Sequence, residues 1–306
     1  MKHIIESQQF SKDILFDLFN KADKIKINPK KTLDGKIMAS LFYEPSTRTR
    51  LSFESAMCRL GGNVIGTENA REFSSAVKGE SLEDSIRVIS KYVDIIVLRH
   101  SEEGSAKKAS EISSVPLINA GDGKGQHPTQ SLLDIYTIYR EFKRIENLKI
   151  AIVGDLANGR TARSLCYLLE KFPNNKLTFI SPENLKMKDD IKNYLIKKNV
   201  YFKEETELNK IIHDMDVIYM TRIQKERIDK ESYEKANGKY VINKDNLKLV
   251  KENARILHPL PHVEEINLPL NLENTDKRIA YFRQAENGLF IRMALLDLLL
   301  NNDNRG

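Results

Sequence analysis

Ile37-Met38-Ala39-Ser40-Leu41-Phe42-Tyr43, then Glu44-Pro45-Ser46-Thr47-Arg48-Thr49-Arg50, then Leu51-Ser52-Phe53-Glu54-Ser55-Ala56-Met57, is the stretch on which the reading of this chain turns. The first seven residues are apolar almost throughout and read as a buried strand, while the last seven are good helix formers. A strand therefore delivers residues 46–49 to a helix start, where backbone N–H groups without intrahelical partners and the positive end of the helix dipole favour an oxyanion. An ordinary N-cap followed by surface arginines is the plain alternative, but it would use one hydroxyl. Donor side chains in four consecutive positions, Ser46 to Thr49, exceed that need, and the planar fork of arginine suits phosphate or carboxylate. Arg48 and Arg50 lie two apart, roughly 200° around a helix axis, so only one can face the anion. Arg48 is given that role, and Arg50 is expected to brace the loop or pair with a carboxylate.

Working outward, short β-type runs recur with helical segments between them, at residues 37–43, 63–66, 93–98, 115–119, 149–153, 177–180, 217–220 and 254–257. This alternation predicts an α/β protein of two domains, each a parallel β-sheet flanked by helices, with about four strands in each half. Residues 128–144, with Leu132, Leu133, Ile135, Tyr136, Ile138, Tyr139 and Phe142, read as a long joining helix. The expected domains are 1–143 and 144–285. The apolar segment 288–300 predicts a buried C-terminal helix, 286–306, packing back on the first domain.

At 306 residues the chain can bury two cores, and two domains offer a cleft. Lys plus Arg exceed Asp plus Glu by 49 to 43, a surplus spread along the chain. That is too mild to indicate a nucleic-acid partner and fits a small anionic substrate. Cys58 and Cys166 lack the spacing of a zinc site and are expected to be reduced, buried thiols. The first residues lack a signal-type apolar core and no run approaches a membrane span, so no membrane partner and a cytoplasmic setting are expected.

Polar clusters follow several predicted strands, where parallel sheets place their sites. Arg99 and His100 follow one. The segment Asn119-Ala120-Gly121-Asp122-Gly123-Lys124-Gly125-Gln126-His127 follows another; its glycines would let backbone approach a ligand, and His127 and Gln130 sit one helical turn apart at the start of the joining helix. In the second half, residues 150–161 form a strand, glycine turn and helix start. They lack the dinucleotide fingerprint, and Arg160 stands where a nucleotide P-loop has lysine, which leaves Arg160 as a cation in the cleft. Met220-Thr221-Arg222-Ile223-Gln224-Lys225-Glu226-Arg227 and His258-Pro259-Leu260-Pro261 follow later strands. There is no Ser/His/Asp order and no HExxH. Cationic and amide groups dominate, which points to catalysis by positioning and by stabilising developing negative charge.

Ser-Thr-Arg-Thr-Arg, His-Pro-Thr-Gln and His-Pro-Leu-Pro, in this order and at these spacings, resemble the aspartate/ornithine carbamoyltransferase family over essentially the whole chain. Residues 77–84, 154–161 and 219–227 look like its aspartate branch, and Pro259 stands where the ornithine branch typically has cysteine. The resemblance implies transfer of the carbamoyl group of carbamoyl phosphate to the amine of L-aspartate, an early step of de novo pyrimidine synthesis, with an ornithine or other amino-acid acceptor as the alternative. It implies that Ser46, Thr47, Arg48 and Thr49 bind phosphate, that Arg99, His127 and Gln130 hold the carbamoyl end, and that Thr49, Arg99 and His127 polarise the carbonyl. Arg160, Arg222 and Gln224 would grip L-aspartate, and the Leu260 and Pro261 backbone would touch the reacting groups. Ser74 and Lys78 would be lent to a neighbouring subunit of a homotrimer, Lys78 as a charged clamp with proton transfer as the alternative. Glu44, Arg160 and Arg227 look like domain-closure contacts. No cofactor or metal is called for, and the family includes both bare trimers and complexes with a separate regulatory chain.

Overall fold

The computed structural model describes residues 1–69, 79–223 and 238–301. Contacts divide the chain into two compact units, Met1–Leu133 with Glu286–Gly306, and Asp134–Ala285.

In the first unit, strands β1 (Ile37–Phe42), β2 (Asn63–Glu68), β3 (Ile95–His100) and β4 (Leu117–Asp122) form one parallel sheet in the order β2-β1-β3-β4. Strands β1, β3 and β4 are buried along nearly their whole length, as expected where helices cover both faces of a parallel sheet. Helices α1 (Lys12–Ile27), α2 (Thr47–Arg59), α3 (Leu82–Ile89) and α4 (Ser105–Ile112) belong to this unit, and α5 (Pro128–Phe142) is the joining helix, ending two residues before the predicted Arg144. Gly66 on β2 lies so close to β1 that a Cβ there would meet the Ser40 carbonyl oxygen at 2.3 Å, which explains a glycine inside a strand.

In the second unit, β5 (Lys149–Val153), β6 (Lys176–Ile180), β7 (Tyr201–Glu205), β8 (Val217–Met220) and β10 (Arg255–Leu257) form a parallel sheet in the order β10-β8-β5-β6-β7, with α6 (Arg160–Leu169) and α7 (Asp189–Lys197) among its crossovers. A small parallel pair, β9 (Ile242–Asn243) with β11 (Ile266–Asn267), lies apart. The sheet has five strands where the sequence predicted about four. The addition is the edge strand β7, whose Tyr-Phe-Lys-Glu-Glu is exposed or half-buried throughout and carries no apolar run.

The C-terminal helix α8 (Tyr281–Asn301) starts five residues before the predicted 286, because its first turns mix charged and apolar residues. From Glu286 onward it packs on the first unit: Lys26 meets Glu286 at 3.0 Å, Thr32 donates to Asp297 at 2.5 Å, Lys21 also pairs with Asp297, and the Arg292 guanidinium lies over the Phe53 ring at 5.1 Å. Among the described residues no helix is long and apolar enough to cross a membrane.

The expectation of two buried thiols holds for Cys166 alone; Cys58 is exposed. Helix α2 buries the stripe Thr49, Phe53, Ala56 and Met57, and Cys58 falls just off it. Burial pushes the Cys166 thiol up to about 12, so it stays protonated and unreactive.

Candidate active site

Both sheets have a switch point, where neighbouring strands send their connections in opposite directions, and ligands of open α/β sheets bind outside the carboxyl ends of strands there. In the first sheet it lies between β1 and β3, since β2 flanks β1 on the other side. The β1–α2 turn, residues 43–46, leaves exactly this point's β1 side, and Arg99 ends the β3 side, paired in register with Phe42. In the second sheet it lies between β5 and β8, so the turn of residues 154–159 adjoins Thr221 and Arg222.

At the first switch point Ser46 is the N-cap of α2 in extended conformation, yet its hydroxyl makes no capping hydrogen bond to the helix. The plain capping role is therefore not the one it fills. Thr49 is buried, Arg48 is exposed and Ser46 half-buried. Arg50 is turned elsewhere: its Nη1 meets Glu54 Oε1 at 3.3 Å, and the same Glu54 oxygen accepts from Ser40 Oγ at 2.9 Å in the middle of β1. One half-buried carboxylate thus ties helix, strand and second arginine together, while Arg48, in the first turn of α2, is exposed.

Arg99 is nearly buried. Its Nη2 lies 3.1 Å from Glu44 Oε2 and its Nη1 donates to the Ala120 carbonyl at 3.3 Å, so it spans the ends of three adjacent strands. Glu44, expected from the resemblance to be a closure contact, here orients Arg99. His127 and Gln130 are 4% and 7% exposed, with the Gln130 N–H on the His127 carbonyl at 3.0 Å. The approach to His127 is organised by Asp122, which the sequence reading passed over. Its Oδ1 accepts from Asn119 Nδ2 at 3.1 Å and from the Gln126 N–H at 3.1 Å, and its Oδ2 from the Gly104 N–H at 3.0 Å. The loop glycines serve this folding: a Cβ on Gly123 would meet the Glu103 nitrogen at 2.6 Å, and one on Gly125 the Asp122 carboxylate at 2.8 Å. A Gly-Asp-Gly run was the available signal for such a carboxylate-centred turn.

At the second switch point Gly154 has φ +119°, and a Cβ there would lie 2.1 Å from the Thr221 carbonyl oxygen. Thr221 donates to the Val153 carbonyl twice, from N and from Oγ1, each at 2.8 Å. This close seam brings Arg222 beside the turn that leads to Arg160, the first residue of α6; both arginines are half-buried. Asp155, fully buried, accepts from the Asn158 N–H at 3.0 Å and shapes the same turn.

Next to β8, β10 delivers His258 and residues 259–261. The Leu260–Pro261 peptide bond is cis and Leu260 has φ +54°, a region a branched side chain occupies only when its surroundings hold it there. His258, 2% exposed, accepts the Leu260 N–H on Nδ1 at 2.8 Å, and its Nε2 lies 2.8 Å from Glu265 Oε1. Burial works to raise the Glu265 carboxyl, but His258 and backbone N–H groups outweigh it and hold the acid below its usual range. The His258 N–H donates to Gln284 Oε1 at 2.8 Å, Gln284 Nε2 to Asp134 Oδ1 at 2.6 Å, and the Tyr219 hydroxyl to Asp134 Oδ2 at 2.7 Å. Burial, then the neighbouring Asp134, raises Tyr219 well above its ordinary value, so the hydroxyl keeps its proton and donates.

The structure thus groups Ser46, Thr47, Arg48, Thr49, Arg99, His127 and Gln130 in the first unit, and Arg160, Arg222, Leu260 and Pro261 in the second. Ser74, Lys78, Gln224 and Arg227 lie outside the described residues.

The sequence profile of the aspartate/ornithine carbamoyltransferase carbamoyl-P binding domain matches residues 2–140, and that of the Asp/Orn binding domain matches residues 146–299. The chain is 55% identical over 304 residues to aspartate carbamoyltransferase 2, chloroplastic, of Pisum sativum, covering 97% of this chain and 78% of that protein. Its fold is similar to that of the catalytic subunit of Methanocaldococcus jannaschii aspartate transcarbamoylase, with a TM-score of 0.91 at 49% identity over the whole of both chains. It is also similar to aspartate transcarbamoylase from Trypanosoma cruzi solved with carbamoyl phosphate and aspartate, with a TM-score of 0.88 at 36% identity, covering 96% and 94% of the two chains. The two profiles together span nearly the full length in the order of the two structural units, and the chain belongs to the aspartate/ornithine carbamoyltransferase family.

Proposed function

We propose that this chain transfers the carbamoyl group of carbamoyl phosphate to the amine of L-aspartate, giving N-carbamoyl-L-aspartate and phosphate in de novo pyrimidine synthesis. The observation that carries the reading is that each unit sets an arginine-bearing turn at the switch point of its own sheet, one beside a helix N-terminus suited to phosphate and one with two arginines suited to a dicarboxylate. The Trypanosoma relative solved with carbamoyl phosphate and aspartate supports the choice of substrates.

In this reading Ser46, Thr47, Arg48 and Thr49 take the phosphate, and Arg99, His127 and Gln130 take the carbamoyl group. Arg160, Arg222 and Gln224 take the carboxylates, and the Leu260 and Pro261 backbone meets the reacting groups. The neutral amine attacks the carbamoyl carbon, forming the C–N bond. The carbonyl oxygen becomes an oxyanion stabilised by Thr49, Arg99 and His127, the C–O bond to phosphate breaks, and the departing phosphate accepts the amine's proton. A cytoplasmic setting belongs to the same reading, as does a homotrimer with shared sites, to which a separate regulatory chain could bind; the Methanocaldococcus relative is described as a catalytic subunit.

Carbamoyl phosphate labelled in its carbamoyl carbon, supplied with L-aspartate or L-ornithine, is expected to give labelled N-carbamoyl-aspartate and little citrulline. Absence of the first product overturns the proposal, and citrulline as the main product moves it to the ornithine branch. For the shared site, inactive Lys78→Ala and inactive Arg48→Ala subunits are expected to regain activity when reassembled together, since some sites in mixed trimers would draw both intact residues. Mixed trimers verified by native mass spectrometry but devoid of activity would place each site within a single subunit.

A further inference from the structure

Residues 259–261 are Pro-Leu-Pro, so the Leu260 N–H is the single backbone donor in the segment that, on the reading above, meets the acceptor amine. That donor is directed to His258 Nδ1 at 2.8 Å. Since Nδ1 accepts, the ring proton sits on Nε2, which faces Glu265 Oε1 at 2.8 Å; a proton on Nδ1 would set two donors against each other. The backbone of His258 is held as well. The His258 N–H is on Gln284, Gln284 is on Asp134, and Tyr219 donates to the second Asp134 oxygen, with His258, Gln284, Asp134 and Tyr219 all at most 2% exposed. A chain of buried hydrogen bonds rigidifies what it holds. What it holds here is a leucine in the left-handed region, a conformation that needs such support.

We infer that His258 is a positioning residue for the transfer reaction: through Nδ1 it fixes the Leu260 backbone, and with it the carbonyl that receives the acceptor amine, while Gln284 fixes the His258 backbone and Glu265 faces the ring. This rests on the proposed function, and it makes His258 a residue that never touches substrate. The acceptor that matters is Nδ1, and that separates the role from mere filling of space. Asparagine places its Oδ1 where histidine has Nδ1, whereas glutamine reaches instead toward the position of Nε2.

The test uses His258→Asn, His258→Gln and His258→Ala in the full chain, with two readouts. The first is hydrogen exchange of the Leu260 amide, which stands alone between two prolines without amides. It is expected to be protected in the wild type and the Asn variant and to lose protection in the Gln and Ala variants. The second is steady-state kinetics. Because a misplacement of about 1 Å can cost about 10²-fold, kcat/KM for aspartate is expected to fall about 10²-fold in the Gln and Ala variants and to recover most of this in the Asn variant, with KM for carbamoyl phosphate unchanged. Should the Ala variant not fold, the Asn and Gln pair decides, joined by Gln284→Leu, which frees the His258 backbone and is expected to raise KM for aspartate. Equal impairment of the Asn and Gln variants, or equal Leu260 exchange in all of them, overturns the inference while wild-type turnover stands. A wild type without carbamoyl transfer overturns the proposed function instead, and the exchange readout still judges the hydrogen bond.

Discussion

Arg48→Ala is expected to lower kcat/KM by about 10²- to 10³-fold, roughly 3 kcal/mol or more of transition-state stabilisation, as the loss of one preorganised donor does elsewhere. Its neighbours explain why nothing replaces it. Arg50, the nearest guanidinium in sequence, is committed to Glu54, which is itself held by Ser40 from the strand below. Arg99 is engaged by Glu44 and the Ala120 carbonyl. The first-turn N–H groups of α2 remain, but they lack a full charge and a planar fork. Arg48→Lys is expected to recover part of the loss, since it restores charge without paired donors. Because Arg48 is exposed, the melting temperature should stay within error for both variants. Steady-state kinetics with phosphate binding measured by calorimetry checks this. An Arg48→Ala enzyme of near wild-type activity would reduce Arg48 to a solvated surface residue and return the anion site to backbone and hydroxyls.

The second large effect is on stability. Gly154→Ala should cost roughly 3–5 kcal/mol, the range reserved for substitutions that combine a forbidden backbone conformation with a steric clash. The added methyl would start 2.1 Å from the Thr221 carbonyl oxygen and 2.5 Å from its hydroxyl, at a φ of +119° that side chains rarely adopt. Thr221 is poorly able to retreat, because both its N–H and its hydroxyl are spent on the Val153 carbonyl. Any relaxation that opened this seam would carry Arg222 with it, so the surviving folded protein should also show a raised KM for aspartate. Urea unfolding gives the stability and initial rates give the KM. A midpoint shift worth less than about 1 kcal/mol, typical of a surface change, would mean that the seam is softer than its geometry indicates.

The parts of the fold legible in the sequence were those whose burial leaves an apolar run. Strands β1, β5 and β8 stand where their runs predicted them, since a strand covered on both faces is apolar along nearly its whole length. Strand β7 escaped because an edge strand needs only backbone pairing, here with β6, and its side chains look like a loop. The first turns of α8 escaped because charged and apolar residues alternate there without an apolar stripe. Cys58 was misplaced by a rule about residue type that ignored which side of α2 the residue occupies. For the candidate site, the residues proposed to bind the anion stand out because hydroxyls and arginines crowd into one turn. The groups that orient them could not. Glu44 and Glu54 are ordinary acids until strand order is known, and Asp134 meets Tyr219 and Gln284 across 85 and 150 residues of chain. An aspartate set within the apolar Leu132-Leu133-Asp134-Ile135-Tyr136 was a sign of a buried partner, though not of which one. The switch points were beyond reach for the same reason: they are properties of strand order, which no local pattern encodes.

Asp122 sets a rule for redesigning this protein. Its two oxygens are shared among Asn119, Gln126 and Gly104, so the shape of the loop before His127 is stored in where three N–H groups end rather than in the side chains along the way. A transplanted loop of another length would have to return amides to the same oxygens, whereas Lys124, which is exposed, can be exchanged freely. A library meant to change how His127 is presented should therefore hold Asp122, Gly123 and Gly125 constant and place its diversity at the exposed Lys124.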